Sequence, residues 1–516
     1  MLGGPGSKFV PDDTISECGL LLETILAQGR QRGSETAIVD DRGEVSFSQL
    51  RFAGSIMLGH LNRCHRRTER FGILIPQSAG CAIAFLAARL SNRVPVMLNF
   101  LLKPSELVDI CRDAQLELVV SIAYFKEHNS ALRQAGLEVM LMDEQSFRRI
   151  PWPRRIPKRQ PDDTAVILYT SGTSATPKGV MLTNNNLDSN AHASIAHARF
   201  NQQMTFLGVL PMFHALGLMA TCLIPLSLGC KVVYITRFNP SAVVDAVRKH
   251  GVQVLVAVPT MYAILAHSKA ATRDALASVQ YAISGGEPLP VSLIDEYQQR
   301  FGIPLLEGFG LTETSPMVSF NVPWDWRPGS VGKPIPGVEI NIKDDLGRDL
   351  PAGESGELWV RGPNVMKGYY NRPQETSEVL TADGWFQTGD IARQDTDGFL
   401  YITGRKKDLI IMGGEKIVPS QIEEVLRQFP GVMLAAVVGV KDAQRGEVPV
   451  AFIQWNSQLS CRPSPHELRT FVCQSLAAYK APREFYYVDA MPLTPTGKIS
   501  KRHLLPPASA TAHALP

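Results

Sequence analysis

Up to about residue 300, short apolar runs alternate with helix-length amphipathic segments. The runs at 71–75, 118–122, 205–210, 231–235, 254–257 and 280–283 are rich in Val, Ile and Leu with no polar alternation. Continuous apolar strands separated by helical patterns predict parallel sheets covered on both faces. A further run at 165–169 predicts a buried strand that opens into a Ser/Thr/Gly loop. From about Ile335 the texture changes. Turn signals at 345–347, 351–353 and 395–398 separate runs at 338–342 and 357–360, which predicts an antiparallel, barrel-like portion. Towards the end, helices are expected near 419–428 and 465–476 and strands near 435–440 and 448–454. The Ala/Pro-rich last stretch, from about 506, has nothing to pack and is expected to fray.

Composition narrows this picture. A chain of 516 residues has room for roughly two to four domains, and 45% hydrophobic with 20% charged residues is ordinary for a globular protein. A net charge of +3 gives no argument for a nucleic-acid partner. The eight cysteines form no CxxC pair and no His-spaced cluster, so they are expected as buried small hydrophobes in a reducing compartment. The first residues lack a cationic segment followed by an apolar one, so no signal peptide is expected. Two stretches, 81–102 and 214–235, are apolar enough to test for membrane insertion. Arg89 and Arg93 interrupt the first, and His214, Pro225 and Lys231 the second, short of about 20 clean apolar residues. A buried helix followed by a strand is expected in each, in a soluble, cytoplasmic protein. Six basic residues between Arg148 and Arg159, threaded with three prolines, read as an exposed linker. Peripheral contact with anionic lipid is the alternative for that run.

The loop after the strand at 165–169 carries the first chemistry. Residues 170–179 read TSGTSATPKG. Small residues let backbone N–H groups close around an anion, hydroxyls add donors, and Lys178 adds charge, which makes a polyphosphate cradle. The spacing is not GxxxxGK[ST], so this is not a P-loop. Further segments follow in order: SGGEPL at 284–289, GFGLTET at 308–314, GWFQTGD at 384–390, GRKKDLIIMGGEK at 404–416 and PTGKISK at 495–501. Together they resemble the adenylate-forming superfamily, which includes acyl-CoA synthetases, luciferases and peptide-synthetase adenylation domains.

The resemblance implies a large N-terminal domain, 1–406, of stacked, mainly parallel α/β sheets. A small mobile α+β C-terminal domain, 408–516, would turn about a hinge near Lys407. It also implies roles. Thr170, Ser171, Gly172, Thr173, Ser174 and Lys178 would hold the β- and γ-phosphates of ATP. Ala175 stands where the family usually has glycine, which restricts positive φ in that loop. Thr312 would contact the α-phosphate, and Glu313 would bind Mg²⁺, since a hard cation bridging phosphates calls for a carboxylate. Phe309, where the family commonly has tyrosine, would stack on adenine between Gly308 and Gly310. Gly285, Gly286 and Glu287 would line the adenine side. Asp390 would accept from both ribose hydroxyls, a task suited to an acceptor-only carboxylate. Arg405 would approach the ribose or phosphate, and His214 would stand at the carboxylate entrance. Lys498 would reach into the site and bridge carboxylate and α-phosphate.

Among superfamily members, the 404–426 segment and KAPREF at 480–485 resemble CoA ligases, with Gly413 and Gly414 where the pantetheine arm passes. The implied reaction uses ATP, Mg²⁺ and CoA to turn a carboxylic acid into acyl-AMP and then acyl-CoA. A synthetase loading an acyl-carrier protein is the alternative, and a catalytically silent regulatory homologue the third reading. Few polar side chains flank 214–221 and 308–316, so the expected acid is a medium- or long-chain fatty acid.

Overall fold

The computed structural model describes residues 21–63, 68–145, 158–170, 177–442, 444–456, 459, 461–492 and 499–506. Its apolar runs form two large sheets. One has nine strands, in the order Lys333–Pro334, Met317–Phe320, Leu305–Gly310, Tyr281–Ser284, Val254–Ala257, Thr205–Gly208, Lys231–Tyr234, Thr36–Asp40 and Gly43–Ser46. The pairings from Leu305–Gly310 through to Thr36–Asp40 are parallel, with antiparallel strands at both edges. The other has seven strands, in the order Gly368–Tyr369, Lys178–Thr183, Thr164–Thr170, Val94–Met97, Arg70–Leu74, Leu118–Ser121 and Glu138–Leu141. It is parallel from Thr164–Thr170 onward and antiparallel at its first two pairings.

The helix Ala79–Leu90 is buried on every face, which explains its uniformly apolar sequence. Burial of Phe85 and Leu86 is worth roughly 1.5–3 kcal/mol each. Arg89, which breaks the apolar run, is itself buried and donates to the carbonyls of Thr164 and Ala165 at 3.3 and 3.2 Å and to Asn184. The stretch 81–102 is therefore a buried helix followed by the strand Val94–Met97. The stretch 214–235 is helical through a π-turn at Met219–Leu223 and ends in the strand Lys231–Tyr234. Among the described residues no helix is long and apolar enough to cross a membrane. The two sheets meet near the C-terminal ends of their strands, where buried Gln77 donates to the carbonyls of Ile235 and Thr236, each at 3.1 Å.

Beyond residue 335, four antiparallel strands, Glu339–Lys343, Gly356–Arg361, Phe386–Gln394 and Leu400–Arg405, form an open sheet. The expected barrel-like portion is not a closed barrel, because its edge strands Glu339–Lys343 and Leu400–Arg405 do not pair with each other. A separate five-stranded sheet follows, built on the long hairpin Val432–Asp442 and Gly446–Trp455. Helices Pro419–Arg427 and Pro465–Ser475 pack on it around their own apolar core. This smaller unit touches the open sheet through Ser420, whose hydroxyl donates to the carbonyl of Thr403, and through a Lys416–Asp345 ion pair.

Two expectations change. Most of the basic run and the tail beyond 506 lie outside the described residues, but Arg159, read as exposed linker, is buried. It packs where Glu23 and Asp163 offset its charge, and burial lowers its pKa to about 10. Cys81, Cys111, Cys222 and Cys230 are buried as expected, whereas Cys461 and Cys473 are exposed.

Candidate functional site

The motif segments 170–179, 284–289 and 308–314 lie at the C-terminal ends of the strands Thr164–Thr170, Tyr281–Ser284 and Leu305–Gly310, the usual location for ligands in α/β sheets. From Thr164–Thr170 the chain enters the Ser/Thr/Gly loop and returns as Lys178–Thr183, with Thr170 opposite Lys178. Of the expected phosphate holders, Thr170 and Lys178 thus stand as the two feet of a hairpin. Ser171, Gly172, Thr173, Ser174 and Ala175 lie outside the described residues, as does Lys498.

Lys178 Nζ is 2.6 Å from Glu375 Oε2 and stands 5.0 Å from the ring centroid of Tyr369. The same tyrosine donates its hydroxyl to Glu313 Oε1 at 3.0 Å. Burial raises the Glu313 pKa, while the Tyr369 hydrogen bond and the charges of Arg405 and Lys178 hold it down. Thr312 and Glu313 sit on a 3-10 turn, Thr312–Thr314. That turn is clamped by Asn364, which donates to Thr314 O at 3.0 Å, and by the Met366 N–H, which donates to Glu313 O at 2.8 Å. The Met366 bond places Glu313 beside the segment that carries Tyr369. Buried Asn190 adds a bond from its Nδ2 to Met317 O at 2.8 Å.

Asp390 and Arg405 are cross-strand partners, joined by an ion pair of 2.9 Å between Arg405 Nε and Asp390 Oδ1. Asp390 is 2% exposed, and burial pushes its carboxyl up to about 6 against the pull of Arg405. Its Oδ2 is buried with no hydrogen-bond partner among the described residues. An orphaned acceptor of this kind is costly unless something donates to it, and a ribose hydroxyl fits that need. Glu313 also raises the Asp390 pKa, so the two expected ligand-binding acids act on each other.

The glycines of the 284–289 and 308–314 segments lie close together. A Cβ on Gly285 would stand 3.5 Å from Gly308 O and 3.2 Å from Leu216 Cδ2, so the two backbones face each other beside the His214 helix. Gly286 has φ +86°, a conformation that favours glycine, and a Cβ on Gly310 would lie 2.1 Å from Pro316 O. Phe309 is half-buried against the apolar cluster that includes Val318 and Leu400, and Glu287 is partly exposed.

His214 precedes the helix Ala215–Leu218, and its ring lies 4.5 Å from that of Phe213. After it, Leu168, Leu182, Leu187, Ala215, Leu218, Met219, Leu223 and Ser315 come together in an apolar lining that leaves no space for a water molecule between them. A π-turn at Met219–Leu223 forms part of this wall, a feature frequent at functional sites. Outward from His214 the rings of Phe213, Phe100, Phe125 and Tyr124 follow one another at 5.0, 5.5 and 5.5 Å. Tyr124, at the solvent end, is 76% exposed.

Gly413 and Gly414 form a hairpin turn with φ of +59° and +89°, and among the described residues no atom beyond their chain neighbours lies within 4 Å of where either Cβ would stand. The structure explains these glycines by the turn itself and brings no wall against them. Sequence reasoning missed Tyr369, Glu375, Asn190 and Asn364. The available signal was the KGYYN segment at 367–371, whose polar aromatics stand between turn residues.

The sequence profile described as AMP-binding enzyme matches residues 25–370, and that of the AMP-binding enzyme C-terminal domain matches 421–498. A sulfoacetate–CoA ligase from Cupriavidus necator is 35% identical over 451 residues, covering 85% of this chain and 87% of the relative. A long-chain-fatty-acid–CoA ligase from Bacillus subtilis is 29% identical, with 96% of each chain covered. The crystal structure of ATP-bound MatB from Rhodopseudomonas palustris superimposes with a TM-score of 0.84 at 28% identity, covering 94% of this chain and 98% of that one.

Proposed function

Since the chain belongs to the AMP-binding enzyme family, and is an AMP-forming acid–thiol ligase working with ATP, Mg²⁺ and CoA, we propose that its acid is a fatty acid of medium or long chain. The observation that carries this reading is the apolar lining that follows His214, which is closed in this conformation and would have to part to admit a tail. Seven of its eight residues are apolar, and the eighth, Ser315, is uncharged. An acid with a second anionic group, such as a sulfonate, would need a cation there, because burying an unpaired charge is costly. An alkyl tail needs none.

The reaction has two steps. A carboxylate oxygen attacks the α-phosphorus of ATP, the bond to the β-phosphate breaks, and pyrophosphate leaves behind acyl-AMP. The CoA sulfur then attacks the acyl carbon, AMP departs, and the thiol proton goes to solvent. In the proposed division of roles, Lys178 and the hydroxyls of Thr170, Ser171, Thr173 and Ser174 hold the departing pyrophosphate. Thr312 contacts the α-phosphate, and Glu313 holds the metal, which when bound would neutralise phosphate charge. Asp390 offers Oδ2 to the ribose, with Arg405 favouring its ionised form. Gly285 and Gly286 allow adenine to approach the backbone, and His214 orients the carboxylate. Lys498 bridges carboxylate and α-phosphate, while Gly413 and Gly414 give the pantetheine arm a path free of side chains. The same reading puts the protein in the cytoplasm, where ATP and CoA are available.

Pyrophosphate release measured with octanoate, dodecanoate, palmitate, ferulate and sulfoacetate tests the substrate. Release should be greatest with one of the alkyl acids. Release confined to ferulate or sulfoacetate would reject the fatty-acid reading. Supplying CoA or an acyl-carrier protein to the same mixture then compares the two acceptors.

A further inference from the structure

Lys178 is not held by the phosphate hairpin alone. Its Nζ meets Glu375 Oε2 at 2.6 Å, and the other carboxylate oxygen of Glu375 lies 3.4 Å from Arg372 Nε. Arg372 Nη2 in turn meets Asp113 Oδ1 at 2.7 Å, and Asp113 Oδ2 accepts from the Tyr169 hydroxyl at 2.6 Å. Tyr169 directly precedes Thr170 and is paired in register with Gly179. The line of alternating charge therefore leaves the phosphate hairpin at Lys178 and returns to it at Tyr169.

The segment that supplies Glu375 and Arg372 is fixed on the same hairpin. Gly368 and Tyr369 pair with Met181 and Val180, and the Tyr370 N–H donates to Gly179 O at 2.7 Å. Thr376 ties the following turn, accepting from the Tyr369 N–H at 2.9 Å and donating to Arg372 O at 2.7 Å. Glu375 is thus held near Lys178 by backbone pairing, and the ion pair is part of a built arrangement.

We propose that Glu375 is a resident counter-ion that occupies Lys178 until a triphosphate displaces it, and that Arg372 receives Glu375 when it lets go. A carboxylate and a polyphosphate repel each other when they share one ammonium, so nucleotide binding weakens the Lys178–Glu375 contact. Arg372 already touches Glu375, so the released carboxylate keeps a cationic partner. A ligand with little phosphate charge gains less from Lys178 and displaces Glu375 poorly, which favours ATP over AMP at this position. Arg372 and Glu375 are positioning residues in this scheme, since neither is assigned a contact with the reacting atoms. The inference rests on the reading of Lys178 as a phosphate holder.

Five variants test it through the KM for ATP and through inhibition by inorganic pyrophosphate. Glu375→Gln removes the competitor while nearly keeping shape, so KM for ATP and the inhibition constant should both fall about two- to fivefold, the range of a partly exposed ion pair. Damage to the fold does not tighten binding, so a decrease separates this role from a structural one. Arg372→Ala leaves Glu375 with Lys178 alone and should raise both constants, with Arg372→Lys restoring part of the loss. Combining Glu375→Gln with Arg372→Ala should give the values of Glu375→Gln, because the competitor is gone. Unchanged or raised constants in Glu375→Gln would overturn the proposal. So would an Arg372→Ala effect that persists in the Glu375→Gln background. Lys178→Met separates the two readings: if it leaves both constants unchanged, the phosphate role of Lys178 falls and the counter-ion role falls with it. If it raises them while Glu375→Gln does nothing, only the counter-ion role is lost.

Discussion

The proposed nucleotide wall and the proposed acyl wall of the site are built on different principles. On the nucleotide wall Lys178, Glu313, Asp390 and Arg405 are each aimed by an ion pair or hydrogen bond of 2.6 to 3.0 Å. On the proposed acyl wall Leu168, Leu182, Leu187 and Leu218 are held by packing alone, with no water-sized space between them. Directed polar contacts fix atoms to a geometry that suits one chemistry, here the proposed handling of phosphate and ribose. Packing fixes only a shape, and a shape can be altered by a methylene group without disturbing the polar wall. The contrast predicts that changes on the nucleotide wall affect every acid alike, whereas changes on the acyl wall sort acids by their tails.

The strongest way to break this contrast is Lys498→Ala, which removes only a charge from the proposed bridge between carboxylate and α-phosphate. Loss of such transition-state stabilisation commonly costs a factor of about 100 to 1,000. Acyl-AMP formation should fall by that range for every acid in the panel, while chemically supplied acyl-AMP still reacts with CoA near the wild-type rate. Normal adenylation by the variant, or loss of both steps together, would remove Lys498 from the division of labour proposed above.

A smaller and more selective effect belongs to the acyl wall. Leu218→Phe extends a side chain that belongs to its lining and is 1% exposed. For tails long enough to reach this lining, kcat/KM should fall about tenfold, the scale of discrimination by a hydrophobic pocket. Short acids and the KM for ATP should hardly change. An equal loss for short and long acids would mean that the two walls are not independent.

The difference between the walls also decided what could be read from the sequence. The strand at 165–169 and the motif residues Glu313, Asp390 and Arg405 stand in short local segments, where one stretch of chain carries both residue type and turn geometry. Tyr369 and Glu375 reach Lys178 only because Gly368–Tyr369 pairs with Lys178–Thr183, a register that joins segments nearly two hundred residues apart. Arg159 was misjudged for a related reason: its basic, proline-rich neighbours suggest exposure, but its burial depends on distant packing near Glu23. Closure of the expected barrel likewise depends on which edge strands meet, and local turn signals do not encode that. The proposed acyl lining draws Leu168, Leu182, Leu187, Leu218 and Ser315 from separate elements, so no motif announces it.

The last test sharpens the comparison through pH, since ionisable groups line one wall and not the other. Glu307 lies just before Gly308 and Phe309, is 7% exposed, and accepts from the Leu289 N–H at 3.0 Å. Burial pushes its carboxyl from 4.5 up to about 8, opposed by the Leu289 bond and reinforced by the charge of Glu424. A carboxyl with a raised folded pKa stays protonated in the native state while the unfolded chain has already released its proton. The unfolded state then binds fewer protons, so stability falls as pH rises between about 4.5 and 8 and is level below that window. Glu307→Gln keeps an oxygen acceptor for Leu289 and cannot ionise. It should match the wild type near the lower end of the window and exceed it near the upper end by on the order of 1 kcal/mol, raising Tm by about one or two degrees. Thermal unfolding at both ends of the window reads the difference. A pH-independent difference, or one that grows toward acid, would show that Glu307 is ionised in the folded protein and that the nucleotide wall carries no such pH-linked strain.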